Sequence, residues 1–177
     1  WIEDDQVEIR PAGHLWGKST GEVQHLIRQE LGSEGIRVAQ IGPAGENRVL
    51  YANIVNELAH FNGRNGLGAV MGSKNLRAIA VRGTHKVPVH DSKRVAETAR
   101  WVASNMKDHP QASALHDLGT PGGIVPVNSA GALPTNNWTT GTFPGAQHIS
   151  GQAMNETILT DRGGCYACPI RCKRVVE

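Results

Sequence analysis

Cys165, Cys168 and Cys172 are the only thiols of the chain, and they stand in the run CYACPIRC as C-x2-C-x3-C with Pro169 directly after the second. Thiolates two and three residues apart on a turn can reach neighbouring irons of one cubane, which ordinarily takes four thiolates. Structural zinc also uses C-x2-C pairs, but it draws its other ligands from a second pair, and this sequence has none. A lone C-x-x-C redox couple belongs in a thioredoxin-like βαβ setting and leaves the third cysteine without a task. An iron-sulfur cluster is the reading that uses all three; zinc and redox chemistry stay open, and a further ligand must come from elsewhere.

A second candidate lies in HFNGRNGLGAVMGSKNLRAIAVRG, where Gly63, Gly66, Gly68 and Gly72 allow close approach of backbone to a neighbour. Glycine turns followed by a helix N-terminus can cradle an anion. The run matches neither standard nucleotide pattern: from Gly66 it reads G-x-G-x-x-x-G, and Ser73-Lys74 replaces the Gly-Lys-Ser/Thr order of a P-loop. Glycines that let a helix pack against its neighbours explain the run equally well. The eight histidines are scattered and form no H-E-x-x-H pair, and no G-x-S-x-G elbow occurs.

Composition narrows the class. A formal charge of +2 with acids and bases interspersed gives no basic face for nucleic acid. There is no apolar run near the length of a membrane span and no secretory signal region at Trp1, so a soluble protein is expected. A clustered, odd set of cysteines makes a poor disulfide framework and suits a reducing cytoplasm. Asn137-Trp138-Thr139 and Asn155-Glu156-Thr157 match the short glycosylation pattern by chance. The 21 glycines point to a loop-rich mixed fold.

The elements that must position these residues can be read in order. Ser19 with Glu22 forms a capping-box pattern ahead of a stripe of Val23, Leu26, Ile27 and Leu31, which predicts a helix. The apolar run Ile36 to Ile41 predicts a buried strand ending in a Gly-Pro-Ala-Gly turn, while RVLYANIVNEL fits either strand or helix. Ala69, Val70 and Met71 could form a short helix, LRAIAV alternates like a strand, and THKVPVHD marks a domain junction. Beyond it, an Asp-Ser cap and a face of Val95, Ala99, Val102 and Met106 predict a helix that stops before Pro110. From Leu118 to Gly151 the chain is rich in Gly, Pro, Asn and Thr, too long for an ordinary connection, and is expected to line a functional site. A short helix, SGQAMNETILTD, then leads into the cysteines.

Taken in order, IGPAGEN, GRNGLGAVMGSKNLRAIAVRG, LGTPGGIVPVNSAGALPTNNWTTG and CYACPIRC resemble the aldehyde ferredoxin oxidoreductase family of tungsten or molybdenum pterin enzymes, over essentially the whole chain. The resemblance implies an α+β fold within a much longer enzyme, of which this chain would be a middle slice. Residues 1–88 would be the C-terminal part of the β-rich, tungstopterin-binding N-terminal domain, and residues 89–177 the start of a second, mainly helical domain. It implies that Cys165, Cys168 and Cys172 bind a [4Fe-4S] cluster whose fourth ligand lies far downstream. By position, His60, Phe61, Gly63 and Arg64 would contact the bis-pterin cofactor, with Mg2+ bridging the pterin phosphates. His60 stands where the family would have an arginine, Phe61 where it would have a small residue, and Asn65 replaces a common glycine. A backbone carbonyl contact at Phe61 would survive that change, and Asn tolerates positive φ.

The implied activity is oxidation of a small aldehyde to its carboxylic acid, with ferredoxin as electron acceptor; a homo-oligomer is compatible with it. The catalytic acid or base would lie outside this stretch. The nearest rival is a tungsten reductase subunit of the benzoyl-CoA reductase type. From another class, the rival is a small zinc-binding or electron-carrier module.

Overall fold

In the computed structural model, which describes residues 1–177, the first long helix begins where its cap requires: α1 spans Thr20–Glu30. Glu22 N–H donates to Ser19 Oγ at 3.4 Å and Ser19 N–H to Glu22 Oε2 at 2.8 Å, so two otherwise orphaned donors are satisfied reciprocally. The helix buries Val23 and Ile27 against a sheet, together with Gln24, whereas Leu26 and Leu31 stay at the margin of the core.

That sheet is mixed and six-stranded. Its strands are β1 (Ile2–Glu3), β2 (Gln6–Val7), β3 (Arg37–Gln40), β4 (Val55–Asn56), β5 (His60–Phe61) and β6 (Ala78–Arg82), ordered β2-β1-β6-β3-β4-β5. β1 and β6 run parallel and every other pair antiparallel. β6 is central because it pairs with β3 from Arg37↔Val81 to Gln40↔Ala78 while holding β1 on its other edge. Leu15, Val23, Ile27, Ile36, Val38 and Ala80 close into one cluster between α1 and the sheet. Each fully buried Val or Ile there contributes about 1.5–3 kcal/mol relative to exposure.

The Gly-Pro-Ala-Gly segment is not a turn but a single helical turn, α2 (Pro43–Glu46), because Pro43 at its first position is preorganised for the helix. The ambiguous stretch after it is mostly irregular and yields only the short strand β4. A second short helix, α3 (Leu67–Ser73), packs against α2. The glycines decide how close they come. A Cβ at Gly72 would collide with the Gly45 carbonyl, and one at Gly68 with the carbonyls of Ala52 and Asn53. Gly66, at φ +79°, abuts the Leu50 carbonyl. These three glycines are therefore taken up by packing, leaving Gly63 as the open one.

Beneath this helix pair lies a buried ion pair: Arg77 Nε is 2.7 Å from Glu46 Oε1, with the two side chains 0% and 8% exposed. The Nε–H itself points at the Leu15 carbonyl (3.3 Å), so the approach to Glu46 is electrostatic rather than a well-aligned hydrogen bond. A second Arg77 nitrogen donates to the Lys18 carbonyl at 3.0 Å, and Gly17 N–H donates to Glu46 Oε2 at 2.9 Å. Burial holds the Arg77 guanidinium below the ordinary arginine value, and the Glu46 carboxylate pulls it back.

The chain divides into two units, Trp1–Pro88 and Val89–Glu177. The second unit contains α4 (Ser92–Asn105), α5 (Pro110–Leu118), α6 (Ile124–Ser129) and α7 (Gly151–Thr157), followed by the antiparallel pair β7 (Leu159–Gly163) and β8 (Lys173–Val176). Asp91 caps α4 as expected, accepting from Arg94 N–H at 2.9 Å. The expected burial of its apolar face is not found: Val95 is 57% exposed, and only Met106, just past the helix, is buried. The segment from Leu118 to Gly151 is not one long loop either, since α6 and two short 3-10 turns at Thr120–Gly123 and Ala146–Ile149 interrupt it. Pro121 and Pro126 sit in first turns, where a missing N–H costs nothing. No helix is long and apolar enough to cross a membrane.

Candidate functional site

The three cysteines lie on the loop 164–172 that joins β7 to β8. Cys168 N–H donates to the Cys165 carbonyl at 3.1 Å, closing a tight turn over the first two. Ala167 (φ +54°) and Arg171 (φ +47°) both take the left-handed conformation, so the chain turns sharply immediately before the second thiol and again before the third. All three thiols are free, Cys165 exposed and the other two half-buried. No three His, Cys, Asp or Glu side chains are gathered at metal-binding spacing. What fits a cubane is the donor set: three thiols on one short, sharply turned loop, without the distributed second pair that structural zinc takes.

The loop is fastened to the C-terminal end of α5. His116 Nδ1–H donates to the Ile170 carbonyl at 2.8 Å, which places the proton on Nδ1. The His116 carbonyl accepts from Arg162 Nε (3.1 Å) and from an Arg174 terminal nitrogen (2.9 Å). The same Arg174 nitrogen also donates to the Arg171 carbonyl (3.1 Å), and its partner donates to the Asp117 carbonyl (3.0 Å). Two guanidinium groups thus cap the exposed carbonyls at the negative end of a helix. Gly119, at φ +63°, makes room for this, because a Cβ there would press on Arg174 Nε and the Cys172 carbonyl, each at 2.9 Å. Burial, then the adjacent Arg162, hold Arg174 below the ordinary arginine value, while Cys172 and Asp117 favour its charged form.

The other predicted residues sit at the far edge of the six-stranded sheet. His60 and Phe61 form β5, and Gly63 and Arg64 follow it. The hairpin that presents β5 turns through Glu57 (φ +50°) and Leu58 (φ +57°), closed by Ala59 N–H to the Asn56 carbonyl at 3.1 Å. Two consecutive positive φ values match the sense of the sheet twist, though neither residue is the usual Asn or Gly. Glu57 holds the turn in place: its carboxylate accepts from Val38 N–H (2.6 Å), Arg28 (2.7 Å) and Arg37 (3.0 Å). At the edge itself His60 Nε2 is buried without a hydrogen-bond partner, Phe61 is 61% exposed, and Gly63 at φ +75° has open space where a Cβ would stand. Arg64 is exposed. An orphaned ring nitrogen, an open glycine and an exposed cation side by side suit a phosphate-bearing ligand.

The model of the aldehyde ferredoxin oxidoreductase N-terminal domain matches residues 1–83, and that of domains 2 and 3 matches residues 97–177. The chain belongs to the aldehyde ferredoxin oxidoreductase family. Over 176 residues it is 44% identical to the tungsten-containing aldehyde ferredoxin oxidoreductases of Pyrococcus furiosus and Thermococcus kodakarensis. These alignments take in 99% of this chain and 29% of each relative, so the chain spans less than a third of the length of those proteins. It is 29% identical over 191 residues to the aliphatic sulfonate oxidoreductase, WOR-like subunit, of Pyrococcus furiosus. Among solved structures, the active site complex BamBC of benzoyl coenzyme A reductase, in complex with 1,5 dienoyl-CoA, matches with a TM-score of 0.72. That match has 29% identity and covers 99% of this chain and 28% of that one.

The structure also brings forward residues that the sequence left unmarked: Glu57, His116, Gly119, Arg162 and Arg174. Arg174 stands two positions after the last cysteine and Gly119 just past α5, and the bonds of Arg174 to the last carbonyls of α5 bring them together.

Proposed function

We propose that this chain belongs to an enzyme that oxidises an aldehyde with water to the carboxylic acid, releasing two protons and two electrons, at a tungsten (or molybdenum) bis-pterin centre, with a [4Fe-4S] cluster and ferredoxin taking the electrons onward. The observation that carries this reading is the 44% identity to tungsten-containing aldehyde ferredoxin oxidoreductases across 176 residues, the thiol loop included. When bound, the metal pterin supplies two-electron chemistry and the cluster one-electron transfer.

The chain's own residues have binding tasks. The thiolates of Cys165, Cys168 and Cys172 would hold iron as three of four ligands. Gly63 would leave room for the pterin phosphates close to the backbone, Arg64 would donate charge-assisted hydrogen bonds to them, and the Phe61 carbonyl would offer Mg2+ a hard oxygen ligand. His60 offers its buried, unpaired Nε2 in place of a longer cation. Residues 1–88 are on this reading the end of the pterin-binding domain and 89–177 the start of the cluster-bearing one. Unpaired thiols of this kind suit a reducing cytoplasm.

The test is aldehyde-dependent reduction of ferredoxin by the anaerobically purified holoenzyme, with tungsten and molybdenum measured alongside. Acid formation matched to ferredoxin reduction is expected. A holoenzyme inert towards aldehydes but active on a cyclic dienoyl-CoA would overturn the reading in favour of the benzoyl-CoA reductase type, which the likeness to BamBC keeps as the second reading.

A further inference from the structure

Arg174 does more than cap a helix. Its terminal nitrogens hold three carbonyls, those of His116 and Asp117 at the end of α5 and that of Arg171 immediately before Cys172. Arg171 is in the left-handed conformation, strained for a residue with a side chain, and the fork fixes its carbonyl. One nitrogen is left without a partner: Arg174 Nε is buried and has no acceptor in the chain. It faces the same cramped space at Gly119 as the Cys172 carbonyl. Leaving a buried donor of a charged group unpaired is costly, so a site that keeps one usually has a partner still to come. Arg162, on the paired strand position opposite Arg174, lends its own Nε to the His116 carbonyl, so two guanidinium groups meet at that carbonyl.

We propose that Arg174 is a positioning residue for the iron-sulfur cluster: its fork locks the Cys172 end of the loop onto α5, and its fixed positive charge, held beside the Cys172 carbonyl, acts on the cluster. This rests on the [4Fe-4S] reading of the three cysteines. A cation beside the cluster favours the more negative, reduced state, so it raises the reduction potential. The two parts of the role separate by variant. Arg174→Gln removes the charge, while Arg174→Lys keeps a charge but cannot make the planar fork.

The measurement is an EPR-monitored redox titration of the holoenzyme together with the rate at which a chelator strips its iron. Arg174→Gln is expected to move the midpoint to lower potential, and Arg174→Lys to keep it near the native value. Arg174→Lys should lose iron about tenfold faster, the factor expected for one hydrogen bond to a charged group. A native midpoint in Arg174→Gln at full iron content overturns the electrostatic role. If Arg174→Gln does not fold, Arg174→Lys decides: iron loss at the native rate overturns the locking role. A native holoenzyme without a cubane signal overturns the cluster reading itself, whereas a native cubane indifferent to both variants overturns this inference alone.

Discussion

At the scale of single residues, the buried Arg77 and the half-buried Arg174 carry the account, and neither role is visible in the sequence. Arg77 lies between a helix and a strand in a run that reads as ordinary LRAIAV alternation, yet its side chain is fully enclosed against Glu46. Removing one member of a buried pair strands the other charge. Arg77→Met should therefore cost roughly 3–5 kcal/mol of stability in denaturant unfolding, and the double variant with Glu46→Gln should recover part of that loss. Equal stability of Arg77→Met and the native protein would contradict the pairing. The cysteines are the opposite case. Their type and spacing alone mark them as candidate metal ligands, because ligand spacing is a local property of the chain, whereas the partners of Arg77 and Arg174 lie up to 62 positions away.

At the scale of elements, local signals served where one element could satisfy itself. The capping box of α1 and the Asp91 cap of α4 are both present because caps act within a turn. Ser19 holds the Glu22 carboxyl below the usual carboxylate range, first through its hydroxyl and then through its backbone N–H. A carboxylate whose folded value is depressed stabilises the fold above its unfolded value and loses that contribution as pH falls through the folded one. The native protein should thus lose α1 stability on acidification below the ordinary carboxylate range, and Glu22→Gln should flatten that acid limb in melts followed by circular dichroism.

The β4–β5 turn shows why other elements were not legible. Glu57 and Leu58 adopt positive φ without Asn or Gly, held there by three donors from β3 and α1. No local rule announces a turn imposed from outside. Leu58 is 45% exposed, so Leu58→Gly relieves backbone strain at little cost in burial. It should raise stability by about 1 kcal/mol, measured as a higher denaturation midpoint. The apolar face of α4 failed as a burial signal for a related reason: amphipathic spacing marks a face able to bury itself without naming what would cover it.

At the scale of the whole molecule, the two units are unequal in their own cores. Trp1–Pro88 has the cluster around Val23, Ile36 and Val38, whereas Val89–Glu177 buries few apolar side chains, Met106 and Ala146 among them. The four motifs that carried the family resemblance are spread through both, which is why family and fold class were legible while packing was not. On the proposed [4Fe-4S] reading, the cluster would add to the stability of the second unit, since metal-binding energy is also folding energy. Stripping the cluster should speed hydrogen exchange in α5 and in β7 and β8 while leaving β3, β6 and α1 unchanged. The most direct test of the central claim is the iron content and EPR signal of the anaerobic holoenzyme and of its Cys165→Ser, Cys168→Ser and Cys172→Ser variants. The account predicts a stoichiometric [4Fe-4S] cluster in the native protein, lost or degraded in each variant. Stoichiometric zinc in its place, or an unchanged cluster in all three variants, would contradict it.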